Sequence, residues 1–292
     1  MKTYFATVVI ALLLSTIFCH GQSVNDSVVY VRKIYKTVDT VQLTAHIFYK
    51  PSTIVKKGNT ALAFFHGGGW AFGDPNEFFN ASKRYAKLGL VAISFQYRLV
   101  TDTGNNPEKT ITPVECVIDV RSAMRWLREH ASDFGVDPNK IVAGGQSVGG
   151  QLVLCTAMID TPNDPQDNLK ISPVPNAIIS WSGTVNTLEP WCDRLLGNKR
   201  AQIWHISPAH NLKRGLPPVI AFHGTKDTMV DLWTVSFFAD DMRALGNHFE
   251  IHKYEGRQHY LGDPDPFYAR LFDEGILKET DDFLRRFGFM KP

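Results

Sequence analysis

The sequence predicts an α/β domain built on a mainly parallel sheet with helices on both faces. Three observations carry that expectation. Short apolar runs alternate with helical-period stretches from Ala61 to Phe287, the order that strand–helix–strand units produce. With a leading segment set aside, about 271 residues remain, enough for one large domain and too few for two enzyme domains and a linker. Apolar residues make up 44% and charged residues 21%, a mixture that excludes disorder, collagen and coiled coil. Neither an internal repeat nor a low-complexity linker divides the chain.

The elements follow in order. Residues 1–21 (MKTYFATVVIALLLSTIFCHG) read as a signal peptide. Lys2 supplies the positive start, Val8 to Phe18 the short apolar stretch, and Cys19 and Gly21 the small residues before a cut at Gln22. The expected product is secreted or periplasmic, residues 22–292 forming one catalytic domain. The rival reading, a lipid anchor on Cys19, asks for a small residue where Phe18 stands. No later stretch is apolar enough to cross a membrane.

Val28–Val38 and Val41–Tyr49, joined by Asp39-Thr40, read as an antiparallel hairpin. Ala61–His66 reads as a strand, Phe79–Lys87 as a helix and Val91–Tyr97 as a strand. Over Val114–His130, residues Val117, Val120, Ala123, Met124 and Leu127 recur at helical spacing. Ile141–Gly144 is a short strand, followed by a helix from Ser147 to about Ile159. Ala177–Trp181, Val219–Phe222 and His248–Tyr254 are further strands; Thr234–Leu245 and Arg270–Phe287 are helices. Stretches 160–176 and 184–217 read as loops or short helices over the sheet's carboxyl edge, where such sheets carry function.

Net charge is +2, from 31 basic and 29 acidic residues, and no basic run is present, so no nucleic-acid partner is expected. After cleavage Cys116, Cys155 and Cys192 remain, an odd number, and no disulfide is expected. Neither CxxC nor His-x-x-x-His spacing appears, so no metal site and no cofactor is expected.

Gly145-Gln146-Ser147-Val148-Gly149 matches G-x-S-x-G between a strand and an apolar helix. That context makes it a nucleophile elbow: a sharp turn exposes the serine hydroxyl, and the small neighbours give the turn room. The helix beginning there aims its first N–H groups at a developing anion. His66-Gly67-Gly68-Gly69-Trp70 follows a strand. Its glycines let backbone N–H groups converge, which assigns Gly67, Gly68 and Val148 as oxyanion donors. His66 reads as structural.

A serine hydroxyl needs a base. Of ten histidines, His259 lies just past the last predicted strand, where a base belongs. His248 and His252 fall in that strand, His205 and His210 lie between strands, and His223 reads as structural. The acid should follow the preceding strand. Asp227 does so, 80 residues after Ser147 and 32 before His259; Asp231 is its rival.

These residues together resemble the α/β-hydrolase superfamily, and within it the carboxylesterases related to hormone-sensitive lipase. The resemblance rests on His66–Trp70, on Tyr97-Arg98-Leu99 with Gln96 where the family has Asp, and on Trp126-Leu127. It continues through Phe134–Pro138, Gly145–Gly150, Ile206–Ala209 and His223–Asp227, covering about residues 40–287. It implies an α/β-hydrolase fold and a serine esterase. The likeness extends to small secreted bacterial acetyl and feruloyl esterases, because no large cap domain has room in this chain. The expected activity is hydrolysis of short-chain or aromatic acyl esters through an acyl-enzyme, on small molecules or on polysaccharide-linked groups. Trp70, Trp181, Trp191 and Trp233 are candidates to line the pocket, with packing as the plainer reading. Glu189 and Asp193 share the same loop without an assigned role. Two rivals stand beside this: a serine peptidase resembling the prolyl oligopeptidase group, and an inactive hydrolase-fold binding module.

Overall fold

A computed structural model describes residues 27–101, 111–262 and 273–291; the signal-peptide reading of residues 1–21 lies outside them. Its strands are β1 (Val29–Val38), β2 (Val41–Tyr49), β3 (Asn59–Phe65), β4 (Val91–Phe95), β5 (Val136–Gln146), β6 (Ala177–Trp181), β7 (Val219–Gly224) and β8 (Phe249–Tyr254). They form one eight-stranded sheet in the order β1-β2-β4-β3-β5-β6-β7-β8. β2 pairs antiparallel with both neighbours, while every pairing from β4 to β8 is parallel. The expected hairpin is present: Val38 pairs with Val41, and Asp39 turns the chain at φ 53°. A short polar side chain tolerates that left-handed conformation better than most.

Helices α1 (Pro51–Lys56), α2 (Phe79–Lys87), α3 (Pro113–Glu129), α4 (Val148–Met158), α5 (Pro190–Leu195), α6 (Leu232–Ala244) and α7 (Glu274–Arg286) complete the fold. The period-2 alternation of the strands sorts the core into two layers. Ala61, Ala63 and Phe65 of β3 share one buried cluster with Val120 of α3, Leu152 of α4 and Phe238 of α6. Leu62 and Phe64 face the other way, toward Tyr85 of α2 and Phe283 of α7. Both faces of the sheet are therefore buried, which is why its strands read as unbroken apolar runs.

Local chemistry sets the helix boundaries. Thr112 caps α3: its Oγ1 accepts from Val114 N–H, Glu115 returns a bond to Thr112 N–H at 2.8 Å, and Pro113 fills the first turn. The fully buried Asp119 on α3 accepts from Arg98 Nε at 2.7 Å and from Lys36 Nζ at 2.8 Å. This tie joins α3 to the segment after β4 and to β1, and it satisfies a carboxylate that burial alone would penalise.

The structure corrects several boundaries. The third parallel strand begins at Val136, not Ile141, with a register break opposite Asn59 and Ala61. Pro138 and the polar residues around it hid that extension. The six-residue α1 was not expected, because its only signal is Pro51 at the first turn. Stretch 184–217 holds α5 and two 3₁₀ turns, Gly197–Gln202 and Pro208–His210. Cys116, Cys155 and Cys192 are all free and buried. Among the described residues, no separate cap domain stands over the sheet, and no helix is long and apolar enough to cross a membrane.

Candidate active site

The chain leaves β3 toward β4 on one side and returns to β5 on the other, so the carboxyl ends of β3 and β5 meet where the strand order reverses. A crevice for ligand forms at such a switch point. The His66–Trp70 loop follows β3, Ser147 follows β5, Asp227 follows β7 and His259 follows β8, all at this one edge.

Ser147 sits at φ 54° and ψ −121°, a left-handed conformation that costs a non-glycine residue energy. Hydrogen bonds hold the strain in place. Ser147 N–H donates to Trp181 O at 2.9 Å, and Ser147 O accepts from Thr184 N–H at 3.2 Å, which pins the turn to the end of β6. The flanking glycines are required by space. A Cβ on Gly145 would stand 2.2 Å from the Gly149 carbonyl carbon, and one on Gly149 2.2 Å from Phe65 O. Only without those carbons do α4, β5 and β3 converge.

In the loop after β3, His66 Nδ1 donates to Gly67 O at 2.8 Å, and Tyr97 Oη donates to His66 O at 2.9 Å while its ring stacks on the imidazole. Burial pushes the His66 imidazole down to about 4, so it is neutral at physiological pH. Trp70 Nε1 donates to Gln151 on α4, and its ring stacks on Trp191 at 5.1 Å. The N–H groups of Gly68 and Val148 have no acceptor among the described residues. Gly67 N–H differs from them, since it faces the half-buried Glu77 carboxylate.

Asp227 and His259 meet directly: His259 Nδ1 donates to Asp227 Oδ2 at 2.9 Å, with both residues buried. That leaves Nε2 as the ring nitrogen available to a serine. Asp227 Oδ1 accepts from Met229 and Val230 N–H, each at 2.9 Å. Burial alone would raise this carboxyl, but hydrogen bonds from His223 and His259 hold it well below the usual carboxylate range. The rival Asp231 is exposed, precedes α6 and accepts from Trp233 Nε1 at 3.2 Å. Ser147 Oγ has no hydrogen-bond partner among the described residues, so the structure pairs acid with base and sets Ser147 at their edge without drawing the third contact. Such contacts are often long until substrate is bound.

Sequence reasoning passed over His223, whose Nε2 lies 3.2 Å from Asp227 Oδ2. The spacing His223-x-x-x-Asp227, one turn of chain, is the signal that was available. Of the tryptophans, Trp70 and Trp181 are packed in the core and Trp233 is 60% exposed. Asp193 pairs with Arg200, while Glu189 borders an open groove of about 690 Å³ that reaches Trp204. A second cavity, of about 390 Å³, opens beside His259, Met229 and Tyr260.

The chain is similar to several known esterases. The family model BD-FAE matches residues 48–240. Thermogutta terrifontis esterase 2, solved phosphorylated by paraoxon, is 35% identical; the match covers 90% of this chain and 96% of that one, with a TM-score of 0.78. The same esterase with propionate bound matches at a TM-score of 0.79. A probable carboxylic ester hydrolase, LipM, from Mycobacterium tuberculosis is 26% identical over 61% of this chain and 44% of its own length. A probable isoprenylcysteine alpha-carbonyl methylesterase, ICMEL1, from Arabidopsis thaliana is 25% identical over 70% of this chain and 46% of its own. This chain thus spans about half the length of these curated relatives.

Proposed function

The chain belongs to the BD-FAE family, among the α/β-hydrolase carboxylesterases of the type related to hormone-sensitive lipase, and from that premise we propose that it is a serine carboxylesterase with Ser147, Asp227 and His259 as its triad. The observation that carries the assignment is the buried Asp227–His259 pair at the edge where the strained Ser147 turn sits. In this mechanism Ser147 Oγ attacks the ester carbonyl and His259 Nε2 takes its proton. Asp227 fixes the ring through Nδ1–H and stabilises the imidazolium. The oxyanion is received by the N–H groups of Gly68 and Val148, with Gly67 as a third donor if substrate draws its N–H from Glu77. His259 then protonates the departing alcohol, and water repeats the sequence on the acyl-enzyme.

The preferred acyl group is short. Thermogutta terrifontis esterase 2 has been solved with propionate and with butyrate bound, which supports that reading here. Aromatic acyl groups, and acyl groups carried on polysaccharides, belong to the same proposal and rest on the resemblance. Export, with cleavage before Gln22, is proposed from the sequence of residues 1–21.

The test is a graded series of acyl esters beside a prolyl amide, assayed on wild type and Ser147→Ala. Short esters are expected to be cleaved and the amide left intact. Paraoxon should add one dialkylphosphoryl group to wild type and none to the variant. Ester turnover or phosphorylation that persists in Ser147→Ala would sink the mechanism, and preferred amide cleavage would favour a peptidase.

A further inference from the structure

We infer that His223 is a positioning residue for the acid–base pair, so that two imidazoles share the one carboxylate of Asp227. This rests on the triad proposed above. The side chains of His223 and Asp227 are 1% and 0% exposed. His223 Nε2 lies 2.8 Å from Val230 O. A carbonyl oxygen only accepts, so Nε2 carries a proton. The same nitrogen stands 3.2 Å from Asp227 Oδ2, the oxygen that His259 Nδ1 also engages at 2.9 Å. His223 Nδ1 is buried with no partner among the described residues. A proton there would be an unsatisfied donor, so the ring is the Nε2–H tautomer and Nδ1 is bare.

The carboxylate is thereby saturated. Oδ1 takes the N–H groups of Met229 and Val230, and Oδ2 takes His259 Nδ1–H and shares with Val230 O the one proton on His223 Nε2. A carboxylate offers about four acceptor directions. Each faces a donor, which opposes rotation of Asp227 away from His259. The His223–Val230–Asp227 contacts also close a ring that shapes the loop carrying the acid. A second consequence is electrostatic. A donor on Oδ2 withdraws part of the charge that would otherwise hold the His259 imidazolium. Among the described residues, the other polar and charged groups around this pair are these. Tyr260 lies beside His259 at 5.5 Å between ring centroids. Glu189 borders a crevice with Met229 and Val230. Ser147 comes from the elbow. Lys226 and Arg257 are exposed, and Arg257 approaches Asp273 at 3.9 Å.

The experiment compares His223→Leu and His223→Gln with wild type, reading kcat/KM on a short-chain ester from pH 5 to pH 9 (about the range in which a histidine base changes charge). The Leu variant loses the donor. Its kcat should fall about tenfold with KM nearly unchanged, and the acid limb should move to higher pH by roughly half a unit to one unit. Gln carries two N–H donors, one for Val230 O and one for Asp227 Oδ2, and should recover most of the rate and the wild-type limb. A folded Leu variant with the wild-type limb overturns the inference, as does a Gln variant that shifts the limb as far as Leu does. Should the Leu variant not fold, ring-nitrogen NMR of wild type decides. His223 must be the Nε2–H tautomer at neutral pH, and a proton on Nδ1 in the neutral ring overturns the inference. Asp227→Asn separates the two readings. An active Asp227→Asn removes the triad itself, whereas an inactive one beside an unaffected His223→Leu removes only the role of His223.

Discussion

Asp227 and Asp231 lie four residues apart on one loop, and environment alone separates them. Asp227 is buried under four donors, while Asp231 is exposed at the start of α6. Asp227→Asn should therefore cost about 10⁴ in kcat, as the triad acid does in a serine protease. Asp231→Asn should stay within a few-fold of wild type, and steady-state kinetics on one ester decides between them. His66 permits a stability test. Its folded value is lowered from 6.5 to about 4 by burial, so the unfolded chain binds a proton that the folded one refuses. Stability from this group is complete above about pH 6.5 and is lost as pH falls through that window, by on the order of 3 kcal/mol. Urea denaturation of wild type and His66→Asn at the two ends of the window should show the gap between them narrowing on acidification; a constant gap would refute the assignment. At this scale, motif and strand context brought Ser147, His259 and Asp227 forward as candidates, and the structure sets all three at one edge of the sheet. The contact of His223 with Asp227 was not legible, because it depends on how a four-residue turn folds back on itself.

Among the elements, the elbow is tightly constrained. The Gly149 position faces backbone oxygens of Phe65 and His66 at 2.2 and 2.5 Å from where a Cβ would stand. Backbone cannot swing aside as a long side chain can. Gly149→Ala should thus destabilise by about 2 to 4 kcal/mol and lower ester turnover, measured by urea unfolding and by assay on the same preparation. An unchanged midpoint would show that β3 and α4 have more freedom than this packing allows. Helices with a clear apolar period were readable to within a residue or two: Val114–His130 against Pro113–Glu129, and Phe79–Lys87 without change. Strands were readable only in their apolar centres. β5 carries Asp137, Pro138 and Asn139 near its start, residues that favour turns, and pairing with β3 overrides that preference. Helix α5 is six residues long, below the length at which periodicity can be seen.

Across the whole molecule, alternating strands and helices announced a parallel sheet, and the sheet order does what no single motif can. It brings loops from residues 66, 147, 227 and 259 to one edge. Which residues sit over that edge was less legible, because stretch 184–217 is held by side-chain contacts such as Thr187 Oγ1 to Ile203 O rather than by a repeating pattern. The three thiols add something of a different kind. Cys116 and Cys155 lie on helices that cover one face of the sheet, and Cys192 on α5, so they sample separate parts of the core. Each reaches solvent only when its surroundings open. Pulsed alkylation in native buffer should label all three at one common rate, equal to that of global opening, and faster labelling of Cys192 alone would mark α5 as a region that opens by itself. The chain thus carries three built-in clocks for its own unfolding. Outside a reducing compartment they also set a hazard, because each opening event exposes these three thiols to exchange with those of another molecule.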